Sequence, residues 1–79
     1  LTETDRYNEY VMTGLRRDVG ISVVDLAERF GQEKAEYFVA SQQENLAAGY
    51  FREGVPETYR LARTGLMLAD GIAGDGFLV

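Results

Sequence analysis

The sequence predicts a small α+β domain, mainly helical, in the order three helices, a β-hairpin and a closing helix. Three observations carry this. Thr2-Glu3-Thr4-Asp5 and Ser22-Val23-Val24-Asp25 are Ser/Thr-x-x-acid patterns, each just ahead of an apolar run of helical period, where N-terminal caps belong. Gln32 to Ala48 contains no helix breaker. Gly54-Val55-Pro56 separates two short arms, as a hairpin turn does.

The first helix is expected at 3–17. Tyr7, Val11 and Leu15 recur every fourth residue with Tyr10 and Gly14 beside them, the acids stand at the positive dipole end, and Arg16 and Arg17 close the last turn. Asp18-Val19-Gly20-Ile21 breaks the period. The second helix then runs 23–30, with Leu26, Ala27 and Phe30 as its apolar face and Gly31 as its stop. The third is the longest, 32–48, with Ala35, Phe38, Val39, Gln42 and Leu46 at helical spacing before Gly49 ends it. Tyr50-Phe51-Arg52-Glu53 and Glu57-Thr58-Tyr59-Arg60-Leu61 form the hairpin arms. Gly54 and Pro56 belong in its turn, because proline has no amide hydrogen for a ladder and glycine accepts positive φ. Leu66, Ala69, Ala73 and Phe77 mark the closing helix. This is the order of a winged helix-like domain, with the hairpin as the wing and the second and third helices as the helix-turn-helix.

At 79 residues the chain is one domain, 1–79, with no room for a second. Cysteine and histidine are both absent, which removes disulfides, thiolate nucleophiles, zinc sites, iron-sulfur ligation and imidazole catalysis. The net charge of −5 repels phosphate backbones and anionic headgroups. No apolar run approaches the ~18 residues of a membrane span, and the acidic start is unlike a signal peptide. Because the first residue is not Met, a piece of a longer cytoplasmic protein is expected.

A helix-turn-helix suggests DNA, yet the third helix carries Glu33, Lys34, Glu36 and Glu44, the wrong sign for phosphates. On the wing, Arg52, Arg60 and Arg63 face Glu53 and Glu57, ordinarily a solvated mixed-charge face. Gly71, Gly74 and Gly76 beside Asp70 and Asp75 lack the spacing and the lysine of a phosphate loop, and the two acids sit where nothing raises a pKa; a glycine-weakened helix is the plainer reading. Nine aromatics exceed what so small a core can hide, so some are expected on a surface, where aromatics favour interfaces. With Tyr7, Val11 and Leu15 inward, Arg6, Tyr10, Thr13 and Arg17 lie toward one flank of the first helix and Arg16 on the far side. Arg6, Tyr10, Arg16 and Arg17 are the candidate domain-interface residues. The alternative is an ordinary solvated flank with the arginines as dipole partners.

The run Asp5 to Arg16 followed by Gly20-Ile21 resembles the start of the C-terminal domain in the family of oxygen-independent coproporphyrinogen III oxidase. Leu68 to Ala73 is similar to that family's closing helix, so the resemblance spans nearly the whole chain. Leu61 to Gly65 resembles its Leu-Thr-x-x-Gly, with Ala62 in the threonine's place, a departure that weakens a helix cap. Gly76 stands where a larger apolar residue is expected, which thins the packing of the last turn. The run most resembles the HemW-type branch of heme chaperones. The resemblance implies a radical S-adenosylmethionine barrel ahead of this domain, and with it an iron-sulfur cluster, S-adenosylmethionine and, for a chaperone, heme. None of these cofactors is expected in this chain, which carries no catalytic residue and no metal site, and is no enzyme alone. It reads as an accessory domain packed on the barrel of the same parent chain, covering one side of the tetrapyrrole cleft, with no nucleic acid and no membrane span. Met12, Met67 and the tyrosines are the only conceivable axial ligands for iron, and a core role is the ordinary reading of them. A stand-alone protein-interaction winged helix and a DNA-binding one are the alternatives.

Overall fold

The computed structural model describes residues 2–78. Helix α1 (Glu3–Arg16) starts with the expected reciprocal cap: the Asp5 amide donates to Thr2 Oγ1 at 3.1 Å and the Thr2 amide to Asp5 Oδ2 at 3.3 Å. Its buried stripe is Tyr7, Val11, Gly14 and Leu15. The helix stops one residue early, because Arg17 turns to extended backbone. Helix α2 (Val23–Phe30) has the expected bounds, with Ser22 Oγ accepting from the Asp25 amide at 3.3 Å and Gly31 at φ 99°.

Between them lies a strand that helical periodicity did not reveal. The segment read as a simple break ends in β1 (Ile21–Ser22), which pairs antiparallel with β2 (Thr58–Tyr59) in the register Ile21 to Tyr59 and Ser22 to Thr58. On the other side, Phe51 bridges to Leu61, and the Arg52 amide donates to the Arg60 carbonyl at 2.7 Å. The second hairpin arm is therefore flanked on both sides. Gly14 makes this possible: a Cβ there would sit 2.6 Å from Ile21 Cγ1, so α1 has to be bare where β1 passes. Gly54 takes φ 126° in the turn, as its position between the arms requires.

The single helix expected at 32–48 is two, α3 (Gln32–Ser41) and α4 (Gln43–Ala47), broken at Gln42 with φ −100° and ψ 3°. The cause is a fully buried side chain. Gln42 Nε2 donates to the Ile72 carbonyl at 3.1 Å, and Ser41 Oγ donates back to the Phe38 carbonyl at 2.7 Å, a bond that bends helices. Beyond the break Leu46 is exposed rather than on a continuing core face. The closing helix is also divided, into α5 (Arg63–Leu66) and α6 (Ala69–Asp75), with Leu66 exposed and Phe77 just past the end. Within α5, Gly65 lies against the Tyr50 carbonyl with no room for a Cβ, and the chain turns at Met67 and Leu68 before α6 begins.

The core joins α1, α3, α6 and the wing: Tyr7, Leu15, Phe38 and Ile72 are buried, and Tyr59 meets both Phe38 and Phe51 edge to face at 5.3 and 5.1 Å. Gly76 corrects the expectation of thin packing: it is buried, its carbonyl accepts from the Tyr7 hydroxyl at 2.8 Å, and a Cβ there would lie 3.0 Å from Gln42 Nε2. The methionines correct another. Met12 is 39% exposed and Met67 90%, so neither fills a gap in the core, because Met12 faces outward from α1 and Met67 occupies the turn between α5 and α6.

Candidate functional site

Along α1, residues 6, 9, 10 and 13 fall on one flank, and Arg17, just past the helix end, continues it. Facing them are the first turn and end of α2 and, from the wing, Thr58 and Arg60, and the space between is a groove of about 740 Å³. Its centre is Tyr10. The hydroxyl donates to Asp25 Oδ2 at 2.6 Å, the ring meets Phe30 edge to face at 5.4 Å, and the Arg29 guanidinium lies 5.5 Å from the ring centroid while its Nε donates to Asp25 at 2.9 Å. Burial, then the bond to Asp25, pushes the Tyr10 phenol up to about 12. The hydrogen bond from Tyr10, aided by Arg29, holds the Asp25 carboxyl below its ordinary value although burial opposes this. Asp25 is thus an ionised acceptor whose Oδ2 takes both bonds, suited to fixing the groove floor and not to proton transfer.

The chain has eight cations, and four are in ion pairs: Arg16 with Asp70, Arg29 with Asp25, Lys34 with Glu3, and Arg52 with Asp18. Arg6, Arg17, Arg60 and Arg63 form no ion pair among the described residues, and the first three line the groove. Of the candidate interface residues, the structure brings Arg6, Tyr10 and Arg17 together. It places Arg16 elsewhere, on the far side as its helix position requires, bonded to Asp70. Tyr10 is less available than a bare flank would leave it, because its polar end is used within the domain.

Arg60 and Arg29 belong to the same groove, and helix-face reasoning on α1 did not include them. Arg60 reaches it because β2 is held beside β1, a pairing of two residues that leaves no period in the sequence. The wing charges also sort differently from a mixed face: Arg52 binds Asp18, with Nη2 at 2.7 Å from its carbonyl and 3.1 Å from Oδ1, rather than a wing glutamate. The glycine-rich end holds no paired acids either, since Asp70 meets Arg16 and Asp75 accepts from Asn45 Nδ2 at 3.1 Å. Among the described residues no group of three or more carboxylates could hold a metal ion, and no helix is long and apolar enough to cross a membrane.

No curated protein and no solved structure matches the chain. A family model does: that of the HemN C-terminal domain, over residues 1–53. The match takes in α1, β1, α2, α3, α4 and the first hairpin arm, and stops short of the segments at Leu61–Gly65 and Leu68–Ala73 that also resemble the family. It thus covers two of the groove's three walls, the flank of α1 and the face of α2, and more than half of the chain, which belongs to the HemN C-terminal domain family.

Proposed function

We propose that this chain serves as the accessory C-terminal domain of a cytoplasmic radical S-adenosylmethionine protein of the heme-chaperone branch, packing on the barrel of its own parent and covering one side of the tetrapyrrole site. The observation that carries the reading is the family match over α1 to α4. The residues of this chain do not fit an iron-sulfur cluster, for there is no thiolate or imidazole to ligate one. They fit heme iron poorly as well: Tyr7 and Tyr10 have hydrogen-bonded hydroxyls, and Met12 and Met67 stand apart on α1 and in the α5–α6 turn. The domain's part is therefore mechanical, to dock and to exclude water, with the groove flank of Arg6, Tyr10 and Arg17 as the docking face. Arg16 extends that role only if the barrel also reaches the Asp70 side. Duplex DNA is no partner in this reading, because Glu33, Glu36 and Glu44 stand exposed on α3 and α4.

The test uses the full-length parent. Arg6→Glu with Thr13→Gln, both exposed on the groove flank of α1, should speed limited proteolysis ahead of Leu1 while the melting temperature of the 79-residue chain changes little. Unchanged proteolysis with a folded fragment would reject the docking face. Heme transfer without coproporphyrinogen decarboxylation by the parent supports the chaperone branch, and the reverse supports the oxidase.

A further inference from the structure

We infer that the groove between α1, α2 and the wing is a receptor for an acidic polypeptide segment, gripped by Arg6, Arg17 and Arg60. This rests on the reading of the α1 flank as a docking face and names the chemistry of what docks there. The argument is one of charge complementarity. In a chain of net charge −5, three of the four arginines without an ion pair among the described residues converge on one concavity. Asp25, one of the two acids in that wall, is ion-paired with Arg29 and bonded to Tyr10 through Oδ2, which leaves Glu9 as the acid outside an ion pair facing the three. Unpaired guanidinium forks are suited to bidentate carboxylates.

The occupant has to be more than an ion. A groove of about 740 Å³ is far larger than inorganic phosphate and lies in the range of organic ligand sites. Val19 and Val55, 59% and 50% exposed, add apolar wall next to the arginines. That combination matches a peptide bearing carboxylates and an aliphatic side chain. A nucleic acid strand, in contrast, would have to continue past the groove onto an acidic surface. Gly20 in the lining sits at φ 69°, and a Cβ there would collide with the Tyr59 carbonyl and with Arg60.

The probe is a fluorescein-labelled dodecapeptide of Glu-Glu-Leu-Ala repeats, titrated by anisotropy against the 79-residue chain, with the same peptide carrying Gln for Glu as comparison. Saturable binding of the acidic peptide is expected, weakening as salt rises from about 50 to 200 mM because the contacts are ionic. Arg6→Gln, Arg17→Gln and Arg60→Gln together should weaken it by about tenfold or more, near 1.4 kcal/mol, and Arg63→Gln, outside the groove, by less than about twofold. Arg6→Gln with Arg17→Gln alone, both exposed, keeps the test valid should the triple variant fail to fold. Equal binding of the Gln peptide, indifference to the arginine substitutions, or displacement by inorganic phosphate well beyond that by sodium chloride of the same ionic strength would overturn the inference. If such a result accompanies faster proteolysis of the parent carrying Arg6→Glu and Thr13→Gln, docking survives and only its acidic chemistry is rejected.

Discussion

Gln42 does at one residue what a helix cap usually does with several. It is fully buried, its amide nitrogen donates to the Ile72 carbonyl near the end of α6, and its amide oxygen accepts from Asn45 Nδ2 at 3.0 Å. Gln42→Leu keeps the volume but strands a buried carbonyl, so urea denaturation should show a loss of about 1–3 kcal/mol. Two tyrosines predict the pH response. Burial, with Tyr37 nearby, pushes the Tyr7 phenol up to about 12, and Tyr10 reaches the same value through burial and Asp25. A folded pKa above the unfolded value near 10 favours the protonated folded state, so this contribution is whole below about pH 10 and is lost as pH rises toward 12. Urea midpoints measured across that range should fall, and should fall less in Tyr7→Phe and Tyr10→Phe. Asp25 acts at the other end: its depressed pKa stabilises the fold above the ordinary carboxylate range and ceases to do so as pH drops through the folded value.

Among the elements, α5 is the shortest helix, four residues long. Its N-cap residue is Ala62, in extended geometry at φ −77° and ψ 169° with no side-chain bond to the free amides. The resemblance to a Leu-Thr-x-x-Gly pattern anticipated that gap. Ala62→Thr should restore the cap and raise stability by about 1 kcal/mol in thermal or urea melts. The same element keeps Gly65 bare against the Tyr50 carbonyl, a contact between segments distant in sequence that no local signal announces. Helices α1 and α2, in contrast, were legible almost to the residue. Their signals are local: Thr2 with Asp5, and Ser22 with the Asp25 amide, each act across three positions.

At the scale of the molecule, the last described residues are clamped by side chains distant in sequence. Asn8 makes both amide bonds to Leu78, at 2.8 and 3.0 Å; Tyr7 holds Gly76; and the Tyr37 hydroxyl donates to the Phe77 carbonyl at 3.0 Å. Asn8→Ala should leave the melting temperature nearly unchanged while hydrogen exchange at the Leu78 amide accelerates by about tenfold or more, since the clamp is local to partly buried groups. The sequence by itself determined the fold class, the two capped helices, the turn at Gly54, the absence of any thiolate or imidazole chemistry, and the placing of Arg6, Tyr10 and Arg17 on one flank opposite Arg16. Those properties depend on composition or on neighbours within a helical turn or two. Only the tertiary structure decided the break at Gln42, the two-residue pairing of β1 with β2, the arrival of Arg60 in the groove, and which arginines are left without an ion pair. The Gln42–Ile72 bond, the β1–β2 pairing and the Arg16–Asp70 and Arg52–Asp18 ion pairs each join residues about 30 or more positions apart, and such contacts leave no period for the sequence to display.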